Sequence, residues 1–223
     1  MQTYLFPPFL PIASAFSVMY NEENRKGGGE MYTWNSLEQA CAECRACALC
    51  DSRTNPVFGV GEKTAEVMLV GEGPGEREDL EGIPFVGKAG LLLDDMLKII
   101  GLDRKSNVYI ANVVKCRPPG NRDPLQEEQR ACLPWLREQF RLIRPKIVLC
   151  LGRIAAGALI HPDFRITAEH GQWFEKNGVF FMALYHPAAL LRDERKRPET
   201  FVDLKTAEEK IRQICSRTVL NKY

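Results

Sequence analysis

A glycine-rich turn crowded with acids is the stretch of this sequence whose residue types point most directly to chemistry. The apolar run Val67–Val70 is typical of a buried parallel strand, and Gly71–Gly75 (GEGPG) follows it directly. Glycines let a backbone turn sharply and lie against a flat or phosphate-bearing ligand. Like charges disfavour a phosphate here, however, because four acids share the segment: Glu72, Glu76, Glu78 and Asp79. The turn is better suited to a positively charged or electron-poor reaction centre.

An aromatic residue, Phe85, follows on a loop stiffened by Pro84 and ended by Gly87. A ring held on such a loop is a stacking surface for a flat ligand. The alternative is a plain strand-to-helix turn with Phe85 buried in the core. The residues alone leave both interpretations open.

The elements that must hold these residues alternate along the chain. Apolar runs predict four strands, which are Glu66–Gly71, Val108–Asn112, Ile147–Leu151 and Val179–Leu184. Helices are predicted from Ser36 toward Cys44, after the glycine turn up to Gly101, from Asp123-Pro124 to about Ile143, over Ile154–Leu159 and over Phe201–Ser216. This alternation predicts an α/β fold with three layers, α/β/α, around a central, mainly parallel four-stranded sheet.

Polar residues follow several of these strands at their carboxyl ends. Glu72 follows the first strand, Asn112 closes the second, and His186 lies two residues past the fourth. Ligands of such sheets bind beyond the carboxyl ends of the strands. We therefore predict one cleft lined by an acid, an amide, an imidazole and the ring of Phe85.

The eight cysteines are numerous for a chain of 223 residues. No export signal is visible, so metal ligation is a better interpretation than a disulfide framework. The simplest model takes four ligands from one run, Cys41, Cys44, Cys47 and Cys50. A second model takes one adjacent pair from that run and adds Cys116 and Cys132. Zinc would suit the same thiolates, and the spacing alone does not choose between these models.

Net charge and hydropathy limit the classes of protein to which this chain can belong. The net charge of +1 gives no overall case for nucleic acid, and no apolar stretch is long enough to span a bilayer. We expect a cytoplasmic monomer without a membrane segment. Residues 1–30 are predicted to be a disordered or mis-called extension, with Met31 as the natural start and residues 31–223 as one domain.

Four ordered motifs resemble those of the type 4 uracil-DNA glycosylases, the iron–sulfur branch of that superfamily. The matching segments are Gly71–Gly75 with Glu78-Asp79, Pro84–Gly90 (PFVGKAG), Asn112–Pro119 (NVVKCRPP) and His186–Arg192 (HPAALLR). The resemblance covers roughly Cys44 to the end of the chain. It implies an enzyme of DNA repair that flips uracil out of DNA and hydrolyses its N-glycosidic bond, leaving an abasic site.

The resemblance also selects among the cysteine models. When Arg53-Thr54 and Val57–Gly59 are aligned with the family's pattern, the spacing becomes C-x2-C-x68-C-x15-C. The implied ligands are Cys44, Cys47, Cys116 and Cys132. The implied cofactor is a [4Fe–4S] cluster with a structural role, and Cys41 and Cys50 are then extra thiols.

For the pocket, the resemblance implies a role for each polar group. Phe85 would stack on the uracil, Asn112 would read its polar edge, and His186 would hydrogen-bond the oxygen on which negative charge develops. The backbone of Gly71 and Gly73 would complete the wall. The acids implied to position water or to stabilise the cationic sugar are Glu72 and Glu78.

The basic residues of the same motifs are implied to face uracil-containing DNA. Phosphate contacts are expected from Lys115, Arg117, Arg122 and Arg192. Leu190 or Leu191 would either fill the gap left by the flipped base or pack in the core. The alternative function is a non-catalytic iron–sulfur protein that binds nucleic acid or transfers electrons.

Overall fold

The computed structural model describes residues 32–222. The predictions for residues 1–30 and for a start at Met31 fall outside the described residues.

A single six-stranded sheet forms the centre, in the order β1-β3-β2-β4-β6-β5. The strands are β1 Val60–Gly61, β2 Val67–Gly71, β3 Val108–Asn112, β4 Ile147–Leu151, β5 Trp173–Lys176 and β6 Val179–Leu184. The four inner strands pair in parallel, whereas β1 and β5 lie antiparallel at the two edges. The predicted fold class is confirmed, with two edge strands more than expected.

Helices occupy the segments between and around the strands. They are α1 Trp34–Ala42, α2 Glu76–Glu81, α3 Lys88–Ile99, α4 Gln126–Ile143, α5 Arg153–Leu159, α6 Ile166–Glu169, α7 Pro187–Arg192 and α8 Arg197–Ile214. Helices α4 and α5 pack on one face of the sheet and α3 and α8 on the other. Successive residues of each inner strand alternate between these two cores, as the strand period of two requires.

Three predicted helix starts are wrong, and one of them is that of α8, which begins at Arg197 rather than at Phe201. Helix α1 begins after Thr33, whose hydroxyl accepts from Ser36 N–H while the Ser36 hydroxyl accepts from Thr33 N–H. Helix α4 begins after Leu125 rather than at Asp123-Pro124, because Glu128 accepts from Leu125 N–H at 2.7 Å. The carboxylate of Asp123 is therefore free to pair elsewhere.

Across residues 32–222, none of the helices combines the length and the apolar character that crossing a bilayer would require.

Candidate functional site

The carboxyl ends of β2 and β3 bring the predicted pocket residues together around Gly71. A Cβ atom on this glycine would lie 2.4 Å from Asn112 Oδ1 and 2.5 Å from Phe85 Cζ. Both distances are shorter than real Cβ contacts, so only glycine leaves room here. The side chains of Asn112 and Phe85 therefore meet over the backbone of Gly71.

The loop that carries Phe85 is held in an unusual conformation. Phe85 has φ +56°, a region in which residues other than glycine are uncommon. Arg104 donates to the carbonyl oxygens of Pro84 at 3.1 Å and Phe85 at 2.9 Å, and to Asp94 at 2.6 Å. The ring is 7% exposed, so the loop is anchored with its aromatic group turned into the protein.

Glu78 anchors the same loop from the other side. Its Oε1 accepts from Val86 N–H at 2.8 Å and from Gly87 N–H at 2.9 Å. This carboxylate is thus engaged by the backbone of the Phe85 loop.

Asn112 is buried at the end of β3, with 1% of its surface exposed. Its Oδ1 has no hydrogen-bond partner among the described residues. A buried amide oxygen without a donor costs free energy, which a ligand carrying an N–H group would recover.

His186 lies beside the ring of Phe85. Its ring centroid lies 5.7 Å from that of Phe85, with 32° between the planes. Burial, reinforced by Arg192, lowers the pKa of His186 to about 4, so the ring is neutral at pH 7. Its Nδ1 accepts from Ala188 N–H at 3.1 Å, which leaves the proton on Nε2.

Glu72 stands at the point where the strand order reverses, between the ends of β2 and β4. Burial, together with the negative charge of Asp123, raises its pKa to about 7, against the opposing effect of Arg153 and Arg192. Asp123 and Arg153 form an ion pair with each other. The pair was not predicted, because Asp123 and Arg153 lie 30 residues apart in a sequence with many exposed charges.

Three of the four residues expected to contact phosphates lie at or near the surface. Arg192 is exposed, while Arg122 is 39% exposed and bonds to the buried Glu128. Arg117 is 26% exposed and donates to Asn121. Lys115 requires a correction: it is 1% exposed, and no phosphate can reach it. Its long apolar stem fits the interior, and its ammonium finds partners there.

The two leucines that follow His186 differ in their exposure to solvent. Leu190 is 2% exposed and packs in the core, whereas Leu191 is 43% exposed. Only Leu191 is therefore available to touch a ligand outside the protein.

A cavity beside α4 is lined by cysteines. Six of the eight line it, namely Cys41, Cys44, Cys47, Cys50, Cys116 and Cys132, with Arg53 and Trp135. Cys150 and Cys215 are buried elsewhere, in the two cores of the sheet. In the described part of the chain, no three metal-ligating side chains are arranged closely enough to hold a single metal ion.

Nitrogen donors distinguish four of these sulfurs from the other two. Trp135 Nε1 donates to Cys44 at 3.3 Å, Arg53 to Cys116 at 3.2 Å, and the Lys115 backbone N–H to Cys132 at 3.1 Å. Cys47 accepts from the backbone of Leu49. Cys50 instead donates to Asp51 at 3.4 Å, and no N–H donor to the Cys41 sulfur is found within residues 32–222.

Fold and site together define an α/β protein that gathers a buried amide, an aromatic ring and a neutral imidazole at the carboxyl edge of its sheet. Residues 58–208 match the sequence pattern of the Uracil DNA glycosylase superfamily. The type-4 uracil-DNA glycosylase of Archaeoglobus fulgidus is 43% identical over 197 residues, which cover 84% of this chain and 96% of that protein. The corresponding protein of Thermotoga maritima is 42% identical over 171 residues, covering 73% of this chain and 88% of that one.

A more distant relative is the type-5 uracil-DNA glycosylase of Pyrobaculum aerophilum, at 36% identity over 151 residues, or 60% of this chain and 66% of the other. The chain belongs to the uracil-DNA glycosylase superfamily and, within it, to the type-4 family.

Proposed function

We propose that this protein excises uracil from DNA by hydrolysing its N-glycosidic bond, leaving an abasic site. One observation carries the proposal beyond family membership: the buried Oδ1 of Asn112 has no donor within residues 32–222 and lies beside the ring of Phe85. Uracil offers an N–H group on a flat ring and so matches both features. A protein that only bound nucleic acid or transferred electrons would not need this pocket, so the alternative is not favoured.

Uracil would enter the pocket as an extruded base, stacked on Phe85. The Asn112 amide would accept from its N3–H and donate to its O4. Cytosine presents an acceptor and a donor in the reverse places, so it would leave the buried amide unsatisfied. The backbone of Gly71 and Gly73 would complete the wall, and a side chain at Gly73 would collide with that of Val114.

His186 would act on the leaving group. Negative charge collects on the uracil oxygens as the glycosidic bond breaks, and a neutral ring with its proton on Nε2 is a hydrogen-bond donor. Losing one such donor typically costs about 3–4 kcal/mol of transition-state stabilisation.

Glu72 would serve the sugar side of the reaction. In its ionised form the carboxylate can orient a water molecule or stabilise the cationic sugar. The geometry supports a different part for Glu78, whose Oε1 already accepts two backbone N–H groups of the Phe85 loop. Glu78 would position the stacking ring rather than touch the reacting atoms.

Four cysteines are proposed to hold the [4Fe–4S] cluster: Cys44, Cys47, Cys116 and Cys132. Of the six sulfurs that line the cavity, these four accept N–H hydrogen bonds from residues 32–222, as the sulfurs that hold iron–sulfur clusters do. The cluster, when bound, would supply a cross-link between the segment after α1, the loop after β3 and helix α4. The residues present therefore fit the group that the type-4 family implies.

Contacts to DNA phosphates are proposed for Arg117, Arg122 and Arg192, with Arg153 added and Lys115 removed. Such contacts fix the register of the strand without reading its sequence. The exposed Leu191 is proposed to fill the space vacated by the base.

The activity can be tested with an end-labelled oligonucleotide carrying one uracil, followed by alkaline cleavage at abasic sites. We expect breaks at uracil and none at thymine or cytosine. Asn112→Asp should relax the discrimination against cytosine, whereas Asn177→Asp, in the turn between β5 and β6, should leave it unchanged. Absence of breaks from protein with its full iron content would contradict the proposed activity.

The ligand set can be tested separately by iron content and visible absorbance. We expect Cys116→Ala to lose both, and Cys41→Ser and Cys50→Ser to retain them. Four irons retained by Cys116→Ala would return the ligands to the run Cys41–Cys50.

A further inference from the structure

Lys115 is a charged side chain in the interior, between the pocket and the cysteines. It follows Asn112 by three residues, precedes Cys116 directly, and is 1% exposed. Its Nζ donates to the backbone oxygen of Asn112 at 2.9 Å and to Gln139 Oε1 at 2.7 Å. One ammonium group thus touches the residue proposed to read uracil and the helix that carries Cys132.

No carboxylate within residues 32–222 pairs with this ammonium. The charged or ionisable groups that act on it are the sulfurs of Cys132, Cys41 and Cys116. A buried cation without a compensating negative charge is costly, and neutral thiols do not supply that charge. Four thiolates around an iron–sulfur cluster supply that negative charge.

The partners of Lys115 are themselves fixed. Gln139 is fully buried and donates to the Phe58 backbone oxygen at 2.8 Å and to the Tyr109 hydroxyl at 3.1 Å. On the other side, the chain after Asn112 stays bound to β2, because Val113 N–H donates to Gly71 O at 2.9 Å. The partners of the ammonium are therefore held in place, and Lys115 also lines the cavity formed by the cysteines.

We propose that Lys115 is the buried counter-cation of the iron–sulfur site and that, through its bond to the Asn112 carbonyl, it positions the uracil-reading amide only while the cluster is in place. The inference rests on the proposed function, because it assigns Asn112 to uracil. Loss of the cluster leaves the ammonium without a negative neighbour, so it withdraws from Asn112 toward solvent. Lys115 is thus a positioning residue, and the cluster's structural role extends into the pocket.

A two-by-two comparison tests this coupling, using wild type and Lys115→Met, each with the cluster intact and after oxidative removal of iron. The measured quantity is kcat/KM on the uracil oligonucleotide. We expect cluster removal to lower kcat/KM about tenfold in wild type, because one hydrogen bond from a charged group is lost. The same treatment should lower kcat/KM of Lys115→Met much less. Equal losses in both proteins would overturn the proposal.

The midpoint potential of the cluster gives a readout that a purely structural lysine would not move. Removing a buried positive charge should make the potential of Lys115→Met more negative than that of wild type. The matched control is Lys176→Met, because Lys176 is half-buried against the carbonyls of Leu159 and Ile160, on another part of the fold. An unchanged potential in Lys115→Met would count against the counter-cation.

Hydrogen exchange on the wild-type protein keeps the test open should Lys115→Met fail to fold. Cluster removal should speed exchange at the amides of Val113 and Val114, next to Asn112, while the amides of β6 remain protected. Unchanged protection at Val113 and Val114 would overturn the proposal. A protein that binds its cluster but excises no uracil would sink the proposed function, yet the potential and the exchange data would still decide the role of Lys115.

Discussion

Glu72 and His186 have their pKa values moved in opposite directions by the same cause. Burial disfavours charge in both, which keeps the imidazole neutral and holds the carboxyl near its titration point at pH 7. Burial therefore suits both proposed roles, a neutral donor for the leaving group and an ionisable acid for the sugar side. The two roles are assigned by environment rather than by residue type.

The pH dependence of excision should report Glu72. Its pKa is raised to about 7, so the carboxylate forms as the pH rises through 7, and kcat/KM should rise along this limb and then level off. Asp123→Asn removes a negative neighbour and should move the limb to lower pH. Arg153→Gln removes a positive one and should move it to higher pH. Rate profiles of the three proteins between pH 5 and 9 would check the signs.

Glu72→Gln is the control for that assignment, because it should lower the rate and abolish the limb. If the limb persists in Glu72→Gln, another group governs the profile. Shifts of Asp123→Asn and Arg153→Gln in the same direction would likewise contradict it.

At the scale of single residues, the positions of the residues around Gly71 were easier to predict from the sequence than the position of Lys115. Gly71, Asn112 and His186 lie at or just after strand ends, where the sequence places them, whereas Phe85 reaches them from the loop between α2 and α3. Lys115 does not lie where expected, since a lysine in a basic segment resembles a surface residue until its partners in a distant helix are known.

At the scale of elements, the Phe85 loop depends on anchors outside itself. Glu78 in α2 binds one side of the loop, and Arg104, before β3, binds the other. A phenylalanine with positive φ costs about 1–2 kcal/mol, and these bonds offset that cost. The position of the Phe85 ring is therefore set by Glu78 and Arg104 rather than by the loop sequence alone.

Arg104→Gln should loosen this loop without touching the ligand. We expect KM for uracil-containing DNA to rise about tenfold, with a smaller change in kcat, because two bonds from a charged group to loop carbonyls are lost. Steady-state kinetics would measure the split. Arg212→Gln, which breaks a pair with Glu208 in α8, should change neither constant. A kcat effect larger than the KM effect would mean that Arg104 acts on the chemistry.

The inner strands were predictable as elements because each is a continuous apolar run. Strand β1 is too short for a pattern, and β5 alternates only weakly, with its side chains mostly half-exposed. The turn Asn177-Gly178, with both φ values positive, is a hairpin signal that could have revealed β5. The start of α4 was missed because Asp123 was assigned to the cap, whereas it pairs with Arg153.

At the scale of the whole molecule, Glu66 ties the C-terminal segment to the sheet. Its carboxylate is 1% exposed, accepts from Arg217 N–H at 2.7 Å and from Thr218 N–H at 2.9 Å, and forms an ion pair with Lys146 Nζ at 2.8 Å. Although burial opposes ionisation, these donors hold the pKa of Glu66 at about 2. The last residues described are thereby fixed beside the start of β2.

Stability should fall in acid partly through this group. Because the folded pKa lies below the usual value of 4.5, Glu66 stabilises the fold above pH 4.5 and loses that contribution as the pH falls toward 2. Glu66→Gln should cost about 2 kcal/mol at pH 7 and flatten the acid limb. Urea unfolding at several pH values would measure both. The exposed Glu209→Gln is the control, and equal acid sensitivity in wild type and Glu66→Gln would contradict the assignment.

Both edge strands of the sheet are short. β1 offers two residues, and β5 offers four that include the charged pair Glu175 and Lys176. Long, flat, uncharged margins are the templates on which copies of a protein add strand to strand. The edge strands of this sheet are too short and too charged to favour the addition of a strand from another copy. We therefore expect concentrated solutions of the protein to form few cross-β fibrils.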